Sequence, residues 1–174
     1  VREHLPLAKN TRVRIRNGDA RAMTAKAPDG VFGLVVVDAY GGSRLPAHLT
    51  SVEFVQEVAR TMATEGVYTA NLADGGGLAF VRAQLATIAT VFPHVAMIGD
   101  PAVLRGRRFG NIVVAASRRE LPIAELTRRT AADPFPGRVQ HGRDLDDFTG
   151  GAAVVLDTTA TLSPLPPGKL FSRR

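Results

Sequence analysis

The sequence predicts an α/β fold with a largely parallel sheet, and three observations carry that prediction. Strand-like and helix-like segments alternate from Val1 to Ser117, which is typical of a doubly wound sheet. The run Leu34–Val37 is apolar and mostly β-branched, which predicts a strand buried on both faces. An amphipathic helix pattern follows that run. With 174 residues, 45% of them hydrophobic, the chain is long enough to bury one core.

The first elements are predicted from local pattern. Val1–Leu7 has the pattern of a helix end closed by Pro6. Arg12–Arg16 predicts a short strand, because apolar residues alternate with arginines there. The turn that follows begins a short helix, and Asp19 is placed to be its N-cap.

Helical spacing predicts a helix over Thr50–Thr64, since Val52, Val55, Val58, Ala59 and Met62 recur on one face. Thr50 or Ser51 can cap it, and Glu53 stands three residues after Thr50, as in a capping box. We expect Glu65-Gly66 to end it. The remaining predicted elements are a strand at 67–72, a loop at 73–77, a helix at 78–92, strands at 94–98 and 110–117, and a helix at 123–131.

The last two strands are expected to form an antiparallel hairpin, because no helix is predicted between them. From Ala132 onward the chain is rich in Pro, Gly and Asp, with one apolar stretch at Ala152–Leu156. We therefore predict one partial Rossmann-like domain at 1–131 and a C-terminal tail at 132–174 that packs on it.

Composition excludes several classes of protein. The chain contains no cysteine, which excludes disulfides and thiolate metal sites, and its four histidines show no ligand spacing, so we expect no metal. No apolar run approaches the about 18 residues of a membrane span, and no signal peptide pattern is present, so we expect a cytoplasmic protein with no membrane partner.

The chain is basic, with a net charge of +6. Arginines concentrate in Arg12–Arg16 and around residues 104–120. They are not interleaved with aromatic residues and no nucleic-acid motif accompanies them, so we expect a solvated surface and no nucleic-acid partner.

Asp38 is the candidate catalytic residue. It stands directly after the central apolar strand, and ligands of such sheets bind at the carboxyl ends of strands. A carboxylate there can attract a cationic amine, accept its proton and orient its lone pair. Tyr40 in the following loop and Asn71 at the end of the next strand are candidate substrate-binding residues.

Four segments in order, Gly18–Ala20, Val35–Tyr40, Leu45–Thr50 and Gly66–Leu72, resemble the spermidine synthase family of aminopropyltransferases, most closely its divergent bacterial branch. The resemblance implies a Rossmann-like, methyltransferase-type fold, and a transferase of polyamine biosynthesis. It would move an aminopropyl group from decarboxylated S-adenosylmethionine to an amine, with no metal. It also implies that Asp38 contacts the attacking amine.

On the nucleoside side, the resemblance implies four further residues. Asp19 and the backbone of Ala20 would hold the adenine, and Leu45 and Pro46 would line that side of the pocket. Alternatives remain open: an S-adenosylmethionine-dependent methyltransferase, which uses the same fold, or a catalytically silent binding or scaffold domain.

The sequence departs from the family in three places. The family's N-terminal β domain, first strands and glycine-rich cofactor loop have no counterpart, so we expect an N-terminally incomplete chain that is inactive alone. Gly41 stands where the family has a second Asp, and Leu104–Gly106 stands where it has a tyrosine. With arginines at 105, 107 and 108, these changes disfavour a polycationic acceptor. A sheet lacking its first strands also exposes an edge, and we expect a homodimer or higher oligomer to cover it.

Overall fold

The computed structural model describes residues 10–168, which form an open five-stranded sheet with six helices. The strands are β1 (Phe32–Val37), β2 (Met62–Asp74), β3 (His94–Gly99), β4 (Gly110–Ser117) and β5 (Arg138–His141). The helices are α1 (Ala20–Ala25), α2 (Val52–Thr61), α3 (Ala79–Ala89), α4 (Pro101–Leu104), α5 (Ile123–Ala131) and α6 (Gly142–Thr149). None of these helices is long and apolar enough to cross a bilayer.

The sheet has the strand order β1-β2-β4-β3-β5. β1 and β2 are parallel, whereas β4 inserts between β2 and β3 and is antiparallel to both. The predicted antiparallel pairing of β3 and β4 is therefore confirmed. The expectation that no helix separates them is wrong, because Asp100 accepts hydrogen bonds from the backbone N–H groups of Ala102 and Val103 and caps the four-residue α4.

The hydrophobic core lies between one face of the sheet and helices α2 and α3. Side chains alternate between the two faces of a strand, so every second residue of β2 and β4 points into this core. Tyr68 of β2 stacks on Phe92, with ring centroids 5.8 Å apart. The largest buried side chains of the core include Phe54, Val58, Val81, Leu85, Ile88, Leu72, Met97 and Ile112.

The opposite face of the sheet is largely uncovered near β1. Leu34 and Val36 are 58% and 61% exposed, and Val113 on β4 is 40% exposed. The expectation that Leu34–Val37 is buried on both faces is therefore wrong. The alternating exposure arises because helices of the described chain cover only one side of this strand.

Arg12–Arg16 is not a strand in this structure, contrary to the prediction. Val13 and Ile15 are 59% and 57% exposed, and no strand within residues 10–168 pairs with this segment. Alternation alone does not make a strand, because an extended segment also needs a partner for its backbone groups. The predicted helix end at Val1–Leu7 lies outside the described residues.

The helix predicted for 50–64 ends at Thr61, because β2 begins at Met62 and pairs there with Phe32. Gly66 lies inside β2 and does not follow a helix end as expected. A Cβ at Gly66 would lie 2.8 Å from the Phe32 carbonyl oxygen, so only glycine permits the strands to approach this closely at the register shift.

Asp19 caps α1 as predicted, accepting a hydrogen bond from the Ala22 N–H at 2.9 Å. Ser51 caps α2, but Glu53 does not complete a capping box. The Glu53 carboxylate instead accepts from the Asp157 N–H at 3.0 Å and so holds the C-terminal segment. That segment also contains β5 and α6, which the sequence patterns did not predict.

Candidate active site at the carboxyl ends of β1 and β2

The candidate site centres on Asp38 and Asn71, on the uncovered face of the sheet. Asp38 follows the last residue of β1, and Val37 is registered with Ala70 of β2, so Asp38 stands opposite Asn71. The Asn71 Nδ2 donates a hydrogen bond to Asp38 Oδ1 at 3.0 Å. The structure therefore brings together two residues proposed from sequence.

Tyr40 completes this cluster. Its hydroxyl donates to the Asn71 carbonyl oxygen at 3.0 Å. Burial of the ring and, to a lesser extent, the negative charge of Asp38 raise the pKa of Tyr40 to about 12. Tyr40 is therefore a neutral hydrogen-bond donor at physiological pH, and its hydroxyl is committed to the backbone of Asn71.

Asn71 has one polar atom without a partner. Its Oδ1 is buried and, within residues 10–168, accepts no hydrogen bond. The bond from Nδ2 to the Asp38 carboxylate fixes the amide orientation. In the reversed orientation the Asn71 Oδ1 would face the carboxylate oxygen, and two acceptors cannot form a hydrogen bond with each other. An unpaired buried acceptor is unfavourable by about 1–3 kcal/mol, so an N–H donor arriving beside Asp38 would offset that cost.

A cavity of about 440 Å³ adjoins this cluster. Asn71 and Tyr40 lie in its wall with residues that sequence reasoning missed, namely Ser43, Ala73, Phe109, Gly110, Asn111 and Pro166. Asp38 is not itself a wall residue but is joined to the cavity through Asn71. Phe109 and Pro166 come from distant parts of the chain, so no local sequence signal could have indicated them.

The loop after Asp38 is held by a tight turn. Gly42 and Ser43 both have positive φ, at 57° and 68°, and the Gly41 N–H donates to the Arg44 carbonyl at 2.9 Å. The Arg44 guanidinium donates to the carbonyl oxygens of Ser163 and Leu162. This arginine fastens the C-terminal segment beside the cavity, which is why Pro166 reaches its wall.

The proposed nucleoside-side residues lie in a separate group. Asp19 accepts from the Ala22 N–H through Oδ1, and its Oδ2 lies 2.8 Å from His48 Nε2. The Ala22 N–H, and secondarily His48, lower the pKa of Asp19. No hydrogen bond within residues 10–168 joins Asp19 to Asp38, Asn71 or Tyr40.

The other residues proposed for the nucleoside side differ in their exposure to solvent. Ala20 begins α1 and lines an open, mostly apolar groove of about 730 Å³ between α1 and β1. Leu45 is only 2% exposed, and Pro46 precedes a 3₁₀ turn at Ala47–Leu49. Leu45 therefore packs into the core in this structure, whereas Ala20 is accessible.

Among residues 10–168, no group of three His, Asp or Glu side chains is arranged to hold a metal ion.

A crystal structure of a probable spermidine synthase from Corynebacterium glutamicum matches with a TM-score of 0.83 and 31% sequence identity, over 94% of this chain. The chain has a spermidine synthase-like fold. The predicted resemblance and fold class are thus confirmed at the level of architecture. The matched part is 61% of the Corynebacterium glutamicum chain.

Two further spermidine synthases share the spermidine synthase-like fold at lower identity. The enzyme from Thermotoga maritima matches with a TM-score of 0.55 and 18% identity, over 86% of this chain and 49% of that one. A spermidine synthase in complex with the transition-state analogue AdoDATO matches with a TM-score of 0.53 and 16% identity, over 86% and 48%. No family model and no curated protein matches the sequence.

Proposed function

We propose that this chain carries the acceptor-amine part of an aminopropyltransferase site of the spermidine synthase kind. The single observation that supports this most is the Asp38 carboxylate, held by Asn71 at the carboxyl ends of two parallel strands in a spermidine synthase-like fold. The unpaired Asn71 Oδ1 and the adjoining cavity add a hydrogen-bond acceptor and space for a small amine.

Asp38 would act as the base and the positioning group. An alkylamine has a pKa near ~10, like that of lysine, and is not nucleophilic while protonated. Asp38 is exposed at the strand end, so it can attract an ammonium group and accept a proton from it. The neutral amine then turns so that a remaining N–H donates to the carboxyl group of Asp38, and its lone pair faces the electrophilic carbon that it attacks.

The proposed co-substrate is decarboxylated S-adenosylmethionine, which supplies an aminopropyl carbon bound to a sulfonium. In the balanced reaction a C–N bond forms, the C–S bond breaks with its electron pair going to sulfur, and the amine proton passes to Asp38. Residues 10–168 fit this co-substrate on the acceptor side and only in part on the nucleoside side, since both Asp19 oxygens are bonded and Leu45 is buried. We therefore propose that residues 1–174 alone bind it weakly and do not turn over.

The test is the Asp38→Asn variant of the full-length protein that the complete reading frame encodes, not of residues 1–174 alone, assayed by release of the thioether product from decarboxylated S-adenosylmethionine. We expect kcat to fall about 10²- to 10⁴-fold, because a general base contributes that much to such a step. Asp146→Asn is a matched control, since Asp146 is an exposed residue of α6 and lies outside the site.

Two results would contradict the proposal. If the fall in kcat of Asp38→Asn is accounted for by a loss of thermal stability, that residue has a structural role. Methyl transfer from ordinary S-adenosylmethionine, with no aminopropyl transfer, would place the protein among the methyltransferases.

We also propose that the chain forms a homo-oligomer through the exposed edge and face of β1. Leu34, Val36 and the neighbouring Phe32 are exposed apolar side chains, and the outer edge of β1 pairs with no strand of residues 10–168. Open apolar edges of this kind associate with other chains.

A further inference from the structure

Among residues 10–168, the wall of the cavity beside Asn71 carries no charged side chain. Its apolar and aromatic part consists of Tyr40, Ala73, Phe109 and Pro166, and its polar part of Ser43, Asn71 and Asn111. All three polar side chains are neutral. The cavity can therefore hold an uncharged group in van der Waals contact but offers no counter-ion for a charged one.

Asp38 is the one carboxylate of the described chain that is linked to this cavity. Asp74 follows the wall residue Ala73, but its carboxylate is only 2% exposed and is already used. Asp74 accepts hydrogen bonds from the Gly75 N–H at 2.7 Å and from the Val81 N–H at 3.0 Å, and so caps α3 from within the core. It cannot receive a second cation from the cavity.

Arginines adjoin two of the wall residues along the chain. Arg107 and Arg108 directly precede Phe109, and Arg44 directly follows Ser43. Arg108 is paired with Asp100 at 2.9 Å, whereas the Arg44 guanidinium donates to backbone carbonyls and forms no ion pair within residues 10–168. Because Asp100 compensates Arg108, it is the charge of Arg44 that disfavours a second ammonium group in the cavity.

We propose that the acceptor bound at Asp38 is a primary amine with a single positive charge and an uncharged, apolar or aromatic remainder. This inference rests on the proposed function of the site. Asp38 compensates one ammonium, and the remainder of the molecule fills the neutral cavity. A diamine would bring a second ammonium out of water with no anion to pair with it, which is unfavourable.

The test compares n-butylamine with putrescine (1,4-diaminobutane), which differ by one terminal amino group. Each is titrated into the 174-residue chain at neutral pH while the NMR signals of the Asn71 amide and of Tyr40 are followed. We expect n-butylamine to bind at least about tenfold more tightly than putrescine.

Gly41→Asp tests the same inference by adding a second carboxylate beside the cavity. Gly41 lies between Tyr40 and the wall residue Ser43, its φ is not positive, and a Cβ there meets no atom within 4 Å. We expect this variant to reverse the preference toward putrescine. Ala124→Asp adds the same charge to an exposed position of α5, which packs on β5 at the opposite edge of the sheet, and should leave the preference unchanged.

The outcomes separate the two proposals. If putrescine binds more tightly to the unmodified chain, or if Gly41→Asp leaves the preference unchanged, the charge selectivity inferred here is wrong while the amine site stands. If neither amine perturbs Asn71 or Tyr40, both this inference and the proposed amine site are overturned.

Discussion

Asp157 connects the C-terminal segment to two helices through a single carboxylate. It accepts two hydrogen bonds from the Arg21 guanidinium, both at 2.6 Å, and one from the Ser51 hydroxyl at the start of α2. Arg21 first, and Ser51 second, lower the pKa of Asp157 to about 2. These bonds tie the C-terminal segment to α1 and to the start of α2.

We expect Asp157→Asn to destabilise the fold by about 1 kcal/mol, since the 42% exposure of the Asp157 side chain keeps the ion pair partly screened by water. The folded-state pKa lies below the usual value near ~3.9, so the stabilisation is present above pH ~4 and disappears as the pH falls toward ~2. Urea denaturation of both proteins between pH 2 and 7 measures this difference.

Glu120→Gln is the control for that pH series, because Glu120 is exposed and makes no ion pair within residues 10–168. Its stability relative to the unmodified chain should not vary over the same interval. A difference for Asp157→Asn that stays constant from pH 4 to pH 2 would show that the carboxylate charge is not what stabilises this contact.

Sequence reasoning located part of the site because that part depends on local order along the chain. Asp38 was predicted from its place after an apolar run, and the register of β1 and β2 brings Asn71 to it. Phe109 and Pro166 could not be predicted, because they reach the cavity only through tertiary packing. The placement of Asp19 as a helix cap was local and was predicted, but its bond to His48 was not.

A helix or strand was predictable where the hydrophobic periodicity of its sequence coincides with a neighbouring element that it can pack on or pair with. The bounds of α5 and β4 are those expected from sequence. Arg12–Arg16 had the alternation of a strand and no neighbouring strand in the described chain, so it is merely extended. β5 has only four residues of mixed polarity, and it exists because β3 offers its free edge, which no local pattern encodes.

Two loops at the cavity end of the sheet are packed together through glycines. Gly106 has φ of +66°, and a Cβ there would lie 2.0 Å from the Gly76 carbonyl oxygen. The 104–109 loop therefore rests directly on the 75–77 loop, next to the wall residue Phe109. The conformation and the close contact both require glycine.

We expect Gly106→Ala to lower the free energy of unfolding by more than about 1 kcal/mol, because alanine disfavours the positive φ and its methyl group meets backbone. Chemical denaturation measures the loss. Gly77→Ala is the matched control, since that Cβ would meet no atom within 4 Å and its φ is not positive. Equal stability of the two variants would contradict the close packing of the loops.

At the scale of the whole molecule, the exposed side of β1 is the largest departure from a closed α/β domain. Leu34 and Val36 are more than half exposed on a sheet face that α2 and α3 do not cover. The chain also spans only 61% of the Corynebacterium glutamicum structure that it matches. Covering a surface this apolar with another polypeptide lowers the free energy, and this is the basis of the proposed homo-oligomer.

We therefore expect the 174-residue chain to be at least dimeric by multi-angle light scattering and Val36→Lys to be monomeric, because a lysine cannot be buried in an apolar contact without a partner charge. Val36 is 61% exposed, so the substitution should leave the thermal unfolding of the monomer nearly unchanged. Phe135→Lys is the control: Phe135 is 90% exposed and lies outside the sheet, and its replacement should preserve the oligomer. A monodisperse monomer for the unmodified chain, or a dimer that survives Val36→Lys, would show that β1 does not mediate self-association.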